Sequence, residues 1–310
     1  MRSVSSVPLS FILGYAQLTG IGLEDAVVAA AELRSRARGA LEVLMADWAA
    51  RDLALNRGRP GEAPRSTGEG RIDVPFAPFQ RVVEALYWDG DSAAAATAVG
   101  GQSRLAGRAG MATLADHAPF MALCSVCLWQ SAHGDLRLAR DAVVRLRSQR
   151  SAGDQGGTAY IPVCAAVLDA QVAAAERRRD AGAALGYLDS LLRTGPVTNP
   201  YILLAANVTA ARLYEARGEL EGALAAVRRH AYAPDAWGTT GLSTYFREEG
   251  RLAALAGDTA AAVRAYRHYL ALRSDPEPRL VPQAMRVHAA LDSLERTSSG
   301  GLARRSGRGG

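Results

Sequence analysis

The chain has no lysine, although it carries 36 basic residues among its 310 positions. A phosphate-binding P-loop, a protein-kinase fold and a Schiff-base enzyme each rely on a lysine ammonium, so those classes are excluded for this chain. Aromatic residues are only 6% of the total, too few for a β-sandwich core. Cysteine is confined to Cys124, Cys127 and Cys164. Three is too few and too odd a number for a disulfide scaffold, so reduced thiols and a cytoplasmic location are expected. Long apolar runs are also missing. The stretch from Val7 to Leu18 is interrupted by Pro8, Ser10, Gly14 and Gln17, which is too short to span a bilayer and lacks a signal-peptide cleavage site. Net charge is +5, and Arg304, Arg305 and Arg308 supply three of those charges. The remaining body is only mildly basic, so no nucleic-acid partner is implied.

What the chain does have is alanine, about one residue in five, within a hydrophobic content of 49%. That mixture favours close-packed helices. Four pairs stand in similar surroundings: Gly90-Asp91, Gly134-Asp135, Gly218-Glu219 and Gly257-Asp258. Arg179-Asp180 aligns with them, and the first members are spaced 44, 45, 39 and 39 residues apart. Five residues after each first member stands an alanine: Ala95, Ala139, Ala184, Ala223 and Ala262. Before each pair runs a helical pattern, for example Phe79/Val82/Val83/Leu86 and Leu203/Ala206/Asn207/Ala210/Leu213. After each pair a second one begins, as in Ala262/Val263/Tyr266/Tyr269/Leu270. The chemistry of the spacing is that of a joint. A short turn between antiparallel helices needs a residue that tolerates positive φ. The acid that follows caps the second helix and complements its dipole, and the alanine one turn later lets the two backbones approach. One such pair cannot bury its apolar face alone, so pairs stack.

With those residues in view, the chain resembles the tetratricopeptide-repeat family over roughly residues 76–296. The family's turn glycine falls on Gly257, its small first-helix residue on Gly250, its alanine on Ala262 and its second-helix aromatic on Tyr266. The closing Asp-Pro is matched by Asp275-Pro276, displaced by two residues, and the first-helix tyrosine of the preceding repeat by Tyr214. The intervals exceed the usual repeat of about 34 residues, which implies longer helices or loops. The resemblance implies an all-α, right-handed superhelical solenoid of antiparallel helix pairs. Residues 1–57 then read as a degenerate repeat region, with Leu13-Gly14 and Ala26 at the family's spacing. Residues 58–75 are a flexible Gly/Pro linker, since two prolines and four glycines in Gly58–Gly70 leave no room for a stable helix. Residues 279–296 form a capping helix and 297–310 a disordered basic tail.

Several features invite a catalytic or metal reading. Cys124-Ser-Val-Cys127 has redox or half-zinc spacing, with His117, His133 or Cys164 to complete it. No strand-to-helix junction or second cysteine pair accompanies it, and cysteine is a common small buried residue, so a packing role is the better reading. Glu248 and Glu249 point about 100° apart on a helix and do not converge on a substrate. One is read as facing solvent and the other as lying near a neighbouring arginine. His117, His133, His230, His268 and His288 have no triad partners nearby. Arg177-Arg178-Arg179 ends an amphipathic helix without interleaved aromatics and reads as a solvated face. Nothing in the pattern calls for a cofactor or a metal.

The surviving pattern is a groove. The resemblance implies that first helices line a concave surface that takes partner peptides. Its outward positions carry Arg212, Glu215, Arg247 and Arg251, with Gln80, Glu84 and Tyr87 in comparable places. Such a groove prefers acidic or carboxylate-bearing peptides through bidentate arginine contacts. The family's lysine-and-asparagine carboxylate clamp cannot be present. The expected function is that of a non-catalytic protein–protein interaction scaffold in a signalling system, similar to the repeat tails of bacterial serine/threonine kinases and transcriptional activators. A regulatory arm of an activator and a helical-barrel enzyme remain as alternatives.

Overall fold

The structure, a computed structural model, describes residues 7–64, 77–108, 117–148, 160–194, 199–230 and 239–306. It is all-α: the described residues form fourteen α-helices and a short 3-10 turn, with no strand among them. They divide into two compact units, Ser66–Arg229 and a discontinuous one made of Met1–Arg65 with His230–Gly310.

The Ser66–Arg229 unit holds four helix pairs. In chain order they are α4 (Ala77–Tyr87) with α5 (Ser92–Gly107), α6 (His117–Ala132) with α7 (Arg137–Ser148), α8 (Tyr160–Ala175) with α9 (Ala181–Thr194), and α10 (Pro200–Ala216) with α11 (Leu220–Val227). Among the second helices, α7 (RLARDAVVRLRS) separates an apolar from a charged face most clearly. The first helices α6 and α8 show no such separation. On α8, Tyr160, Val163, Cys164, Ala165, Ala166, Val167 and Leu168 are all buried, which covers every face of that helix. A helix that is apolar all round has to be surrounded. Accordingly α4 touches α6 and α10, α6 touches α8, and α8 touches α10. Among the described residues the first helices of this unit thus pack on one another. Gln80, Glu84 and Tyr87, expected on the groove surface, are instead only 4%, 2% and 4% exposed. The Gln80 amide donates to the Tyr201 hydroxyl at 2.6 Å, and the Tyr87 and Thr209 hydroxyls are 3.0 Å apart, so α4 is fastened to α10.

The joints show how each turn is made. Gly134, Gly218 and Gly257 adopt φ of 88°, 77° and 79°. The next residue's N–H then bonds back to Gln130, Tyr214 and Ala253 carbonyls, each at 2.9 Å, the Schellman arrangement that satisfies a helix C-terminus. In the third joint the left-handed residue is Arg177 (φ 52°) rather than Arg179, and Arg178 N–H bonds the Ala173 carbonyl at 2.9 Å. That turn is two residues longer on its first-helix side. In the first joint Asp89 takes positive φ (58°). Gly90 serves a different need: a Cβ there would lie 2.8 Å from the backbone carbon of Glu84. Asp91 accepts from the N–H groups of Ala93 and Ala94, and Asp258 from that of Ala261, whereas Glu219 and Asp180 face Arg217 and Arg178. Ala95, Ala139, Ala223 and Ala262 are fully buried and Ala184 is 8% exposed.

The other unit comprises α1 (Val7–Thr19), α2 (Leu23–Arg36), α3 (Ala40–Arg57), α12 (Leu242–Leu255), α13 (Thr259–Leu272) and α14 (Val281–Ser306). Its core draws Leu13, Ala26 and Leu53 from one end of the chain and Phe246, Tyr269 and Leu291 from the other. On α13, Tyr266 is 5% exposed and lies against Gly250 of α12, where a Cβ would meet the ring at 2.4 Å. In the last pair of the first-described unit the roles are exchanged: Tyr214 of the first helix lies over Gly222 of the second, at 2.9 Å from its Cβ position. Buried Asn56 of α3 joins the two ends of the chain. Its amide nitrogen donates to Gln17 Oε1 (2.8 Å) and the Thr239 carbonyl (2.7 Å), and its Oδ1 accepts the Ser243 N–H (3.0 Å).

Three expectations need amendment. The start of the 58–75 segment is held: Gly58 (φ 73°) caps α3, Pro60–Glu62 form a 3-10 turn, and the Gly58 carbonyl accepts the Glu277 N–H at 2.8 Å. Residues 65–76 lie outside the described residues. The tail expected from 297 is helical as far as Ser306, where no proline intervenes to stop α14. Cys124 and Cys164 are joined in a disulfide between α6 and α8, with Cα atoms 6.2 Å apart, rather than present as thiols. The apolar inner helices bring two small sulfur side chains face to face, which spacing along the chain does not show. Cys127 remains a buried thiol bonded to the Leu138 carbonyl at 3.6 Å, and burial pushes its pKa up to about 12. It stays protonated at neutral pH and is a poor nucleophile. The argument from cysteine to a reducing cytoplasm therefore falls.

Two measurements check this packing. Tyr266→Ala is expected to cost about 3–5 kcal/mol and Gly250→Ala about 1–3 kcal/mol through overpacking. Urea titration of the double variant should show that Gly250→Ala costs nothing further once the ring is gone, and additive costs would refute the contact. Reduction of the disulfide, which spans 40 residues, is expected to lower stability by up to about 4 kcal/mol. Equal urea midpoints with and without dithiothreitol would show that the bond contributes nothing.

Candidate functional site

The residues expected to line a binding groove are distributed over both units. Arg212 and Glu215 lie on α10, and Arg247 and Arg251 on α12. The Arg212 guanidinium sits over the Tyr87 ring, 5.2 Å from its centroid. Arg247 and Arg251 both turn to Glu248, at 3.4 Å and 2.9 Å, and that carboxylate is 13% exposed. The two guanidinium groups therefore share one carboxylate of their own helix. Of the adjacent glutamates, Glu248 is engaged by both arginines. Within the arginine run, Arg178 bonds Asp180 and reaches Asp169 at 3.1 Å. Asp169 is nearly buried and also holds Arg147 at 2.7 Å. These side chains staple α7, α8 and the third joint.

A depression of about 780 Å³ beside α9, α10 and α11 is lined by Asp189, Arg193, Tyr214, Glu219 and Arg229, among others. Its charges are mostly answered from within: Arg193 and Arg229 both hold Asp189, and Arg217 holds Glu219. Among the described residues no group of three His, Cys, Asp or Glu side chains is placed to hold a metal ion, and no helix is long and apolar enough to cross a membrane.

A different surface stands out at α1 and α2. Phe11, Ile12 and Tyr15 project from α1 with exposures of 53%, 43% and 56%, and Ile21 in the following turn is 68% exposed. With Ala16, Gly22 and Asp25 they line a cleft of about 620 Å³. The local sequence explains why. On α1, Leu13, Ala16 and Gln17 face the core, and the positions opposite them, where a surface helix carries polar residues, are Phe11 and Tyr15. The turn is fixed from below. Gly20 N–H bonds the Ala16 carbonyl (2.8 Å), the Thr19 hydroxyl donates to the Tyr15 carbonyl (2.8 Å), and Ile21 N–H donates to the Thr19 hydroxyl (3.2 Å). Gly20 itself (φ 70°) approaches Ala271 of α13 so closely that a Cβ would sit 2.7 Å from the alanine's. None of these residues was singled out as a binding position. The available signal was a helix-length segment with apolar residues on both of its faces.

Beneath this face the core carries two histidines. His268 stacks on Phe246 with ring centroids 3.9 Å apart, and its Nε2 lies 3.2 Å from the Gln17 carbonyl. Buried His230 packs on Tyr245 and Phe246, at 5.1 Å and 5.5 Å. Burial, helped by the nearby His268, lowers the His230 pKa to about 4, and burial also lowers that of His268.

No family model, curated protein or solved structure matches the chain.

The histidines set a pH dependence. A pKa lower in the folded than in the unfolded chain means that the unfolded chain binds the extra proton. Stability is complete above the unfolded value near 6.5 and declines as pH falls towards 4. Between pH 6.5 and 5, above most carboxylate titrations, the loss from His230 is expected to be about 2 kcal/mol. Urea midpoints across that window should fall for the parent chain and fall less steeply for His230→Phe, with His268 keeping its share; an unchanged slope would remove His230 as the cause.

Proposed function

We propose that this chain is a non-catalytic protein-interaction scaffold built from tetratricopeptide-like helix pairs, and that it docks a partner protein on the apolar face of α1 and α2. In this reading consecutive pairs stack in the right-handed sense of that family, while the closed interior of the Ser66–Arg229 unit gives rigidity and not a binding groove. The observation that carries the reading is the group Phe11, Ile12, Tyr15 and Ile21. Four large apolar side chains, each 43% or more exposed, gather round one cleft. Scattered exposed apolar residues are ordinary, but a contiguous patch around a concavity marks an interaction surface. Two of its members are positioned by the hydrogen-bonded turn below them, so docking orders little that is not already ordered.

The arginine positions enter this reading as supports, because Arg247 and Arg251 are engaged by Glu248. Affinity capture with the whole chain separates the two surfaces. Phe11→Ser with Tyr15→Ser is expected to lose the captured partners, with affinities weakened about tenfold or more. Both positions are exposed, so fold stability should change by no more than about 0.5 kcal/mol. Arg212→Ala with Arg247→Ala and Arg251→Ala is expected to retain them. The opposite pattern would return the site to the arginines and reject the apolar face.

A further inference from the structure

We propose that the α1/α2 cleft takes an amphipathic helix whose apolar stripe is flanked by arginine or lysine. This rests on the reading of that face as a protein-docking surface and names the chemistry of its occupant.

The secondary structure of the occupant follows from what the cleft offers. No strand edge exists among the described residues of this unit, so an extended peptide finds no row of unpaired backbone groups to pair with. The cleft lies between the 13-residue α1 and the 14-residue α2 and the turn that joins them. A groove with helical walls is filled by side chains at i, i+3 or i+4, and i+7 of a third helix. Phe11 and Tyr15, one turn apart on α1, and Ile21 at the turn give it the spaced apolar contacts it needs.

The charge of the occupant follows from Asp25. Among the described residues it is the only charged one lining the cleft, it is exposed, and it has no hydrogen bond or ion pair with another of them. Its neighbour Glu24, with an 84% exposed side chain, adds a second carboxylate in the same first turn of α2. Arg57, which holds Glu24 at 3.0 Å, is itself only 12% exposed. Glu24 is thus already paired, and the charge that the cleft itself presents is the Asp25 carboxylate. A cation beside the apolar stripe of an incoming helix gains an attraction there, and a carboxylate in the same place is repelled.

The test uses two labelled helical peptides of 14 residues, the length of α2, one of leucine and lysine and one of leucine and glutamate. Fluorescence anisotropy with the full chain at low salt is expected to show binding of the lysine peptide, with the glutamate peptide at least about tenfold weaker. Asp25→Arg should weaken the lysine peptide about five- to tenfold and strengthen the glutamate one. Ile21→Ser and Tyr15→Ser should each weaken the lysine peptide about tenfold. If both peptides bind equally and Asp25→Arg changes neither, the charge assignment is overturned while the docking face stands. If neither peptide binds, or if binding survives Tyr15→Ser and Ile21→Ser, the docking face falls with it. Sedimentation of the unliganded chain adds one more outcome. A concentration-dependent dimer that Tyr15→Ser abolishes makes a second copy the occupant and overturns the proposal.

Discussion

Much of the Ser66–Arg229 unit follows from one constraint: its first helices α6 and α8 have almost no polar side. Along α8 a buried residue stands at nearly every position from Tyr160 to Val172, and α10 is similar from Ile202 to Ala211. Such helices are stable only when neighbours cover all of their surface. The amphipathic second helices cover the outside, and the first helices must cover each other within. That is why α4 meets α10, where Gln80 is paired with Tyr201 and Tyr87 with Thr209. A buried polar group left unpaired costs more than a satisfied one contributes.

Close approach of backbones recurs in a smaller form at the joints. Gly250 under Tyr266 and Gly222 under Tyr214 are the same solution with the partners exchanged between first and second helix. The missing Cβ admits a large flat ring, so each pair gains aromatic burial without separating its helices. Asn56 works by other means in the discontinuous unit. One amide there supplies both a donor to Gln17 and Thr239 and an acceptor for Ser243, tying three stretches of chain.

The helical class and the positions of the joints were legible because they are local. Glycine before an acid, with alanine one helical turn on, describes a turn whose requirements lie within about ten residues. The third joint was read two residues late, because Arg177 takes a conformation that glycine usually occupies and no residue type announces it. Closure of the inner helices was partly visible in the unbroken apolar character of α8. It was masked by a resemblance whose first helices have a free side. The disulfide and the sharing of one core between residues near 13 and near 291 depend on contacts distant in sequence, which no local pattern encodes. The arginines stand out in sequence by their charge, and Glu248, which Arg247 and Arg251 share, is visible only in the structure. The apolar face of α1 was overlooked because Phe11 and Tyr15 read as core until the opposite side of the helix proves to be the buried one.

The joining of the two chain ends has a consequence for how the molecule is made. Residues 7–57 emerge from the ribosome long before residues 239–291, yet Leu13, Ala26 and Leu53 are buried against Phe246, Tyr269 and Leu291. The Ser66–Arg229 unit is one continuous stretch of chain and can condense as it is synthesised. The first three helices cannot complete their core until synthesis is nearly finished. During that interval the early helices expose their apolar sides, so this unit is the one that depends on the time between translation and burial.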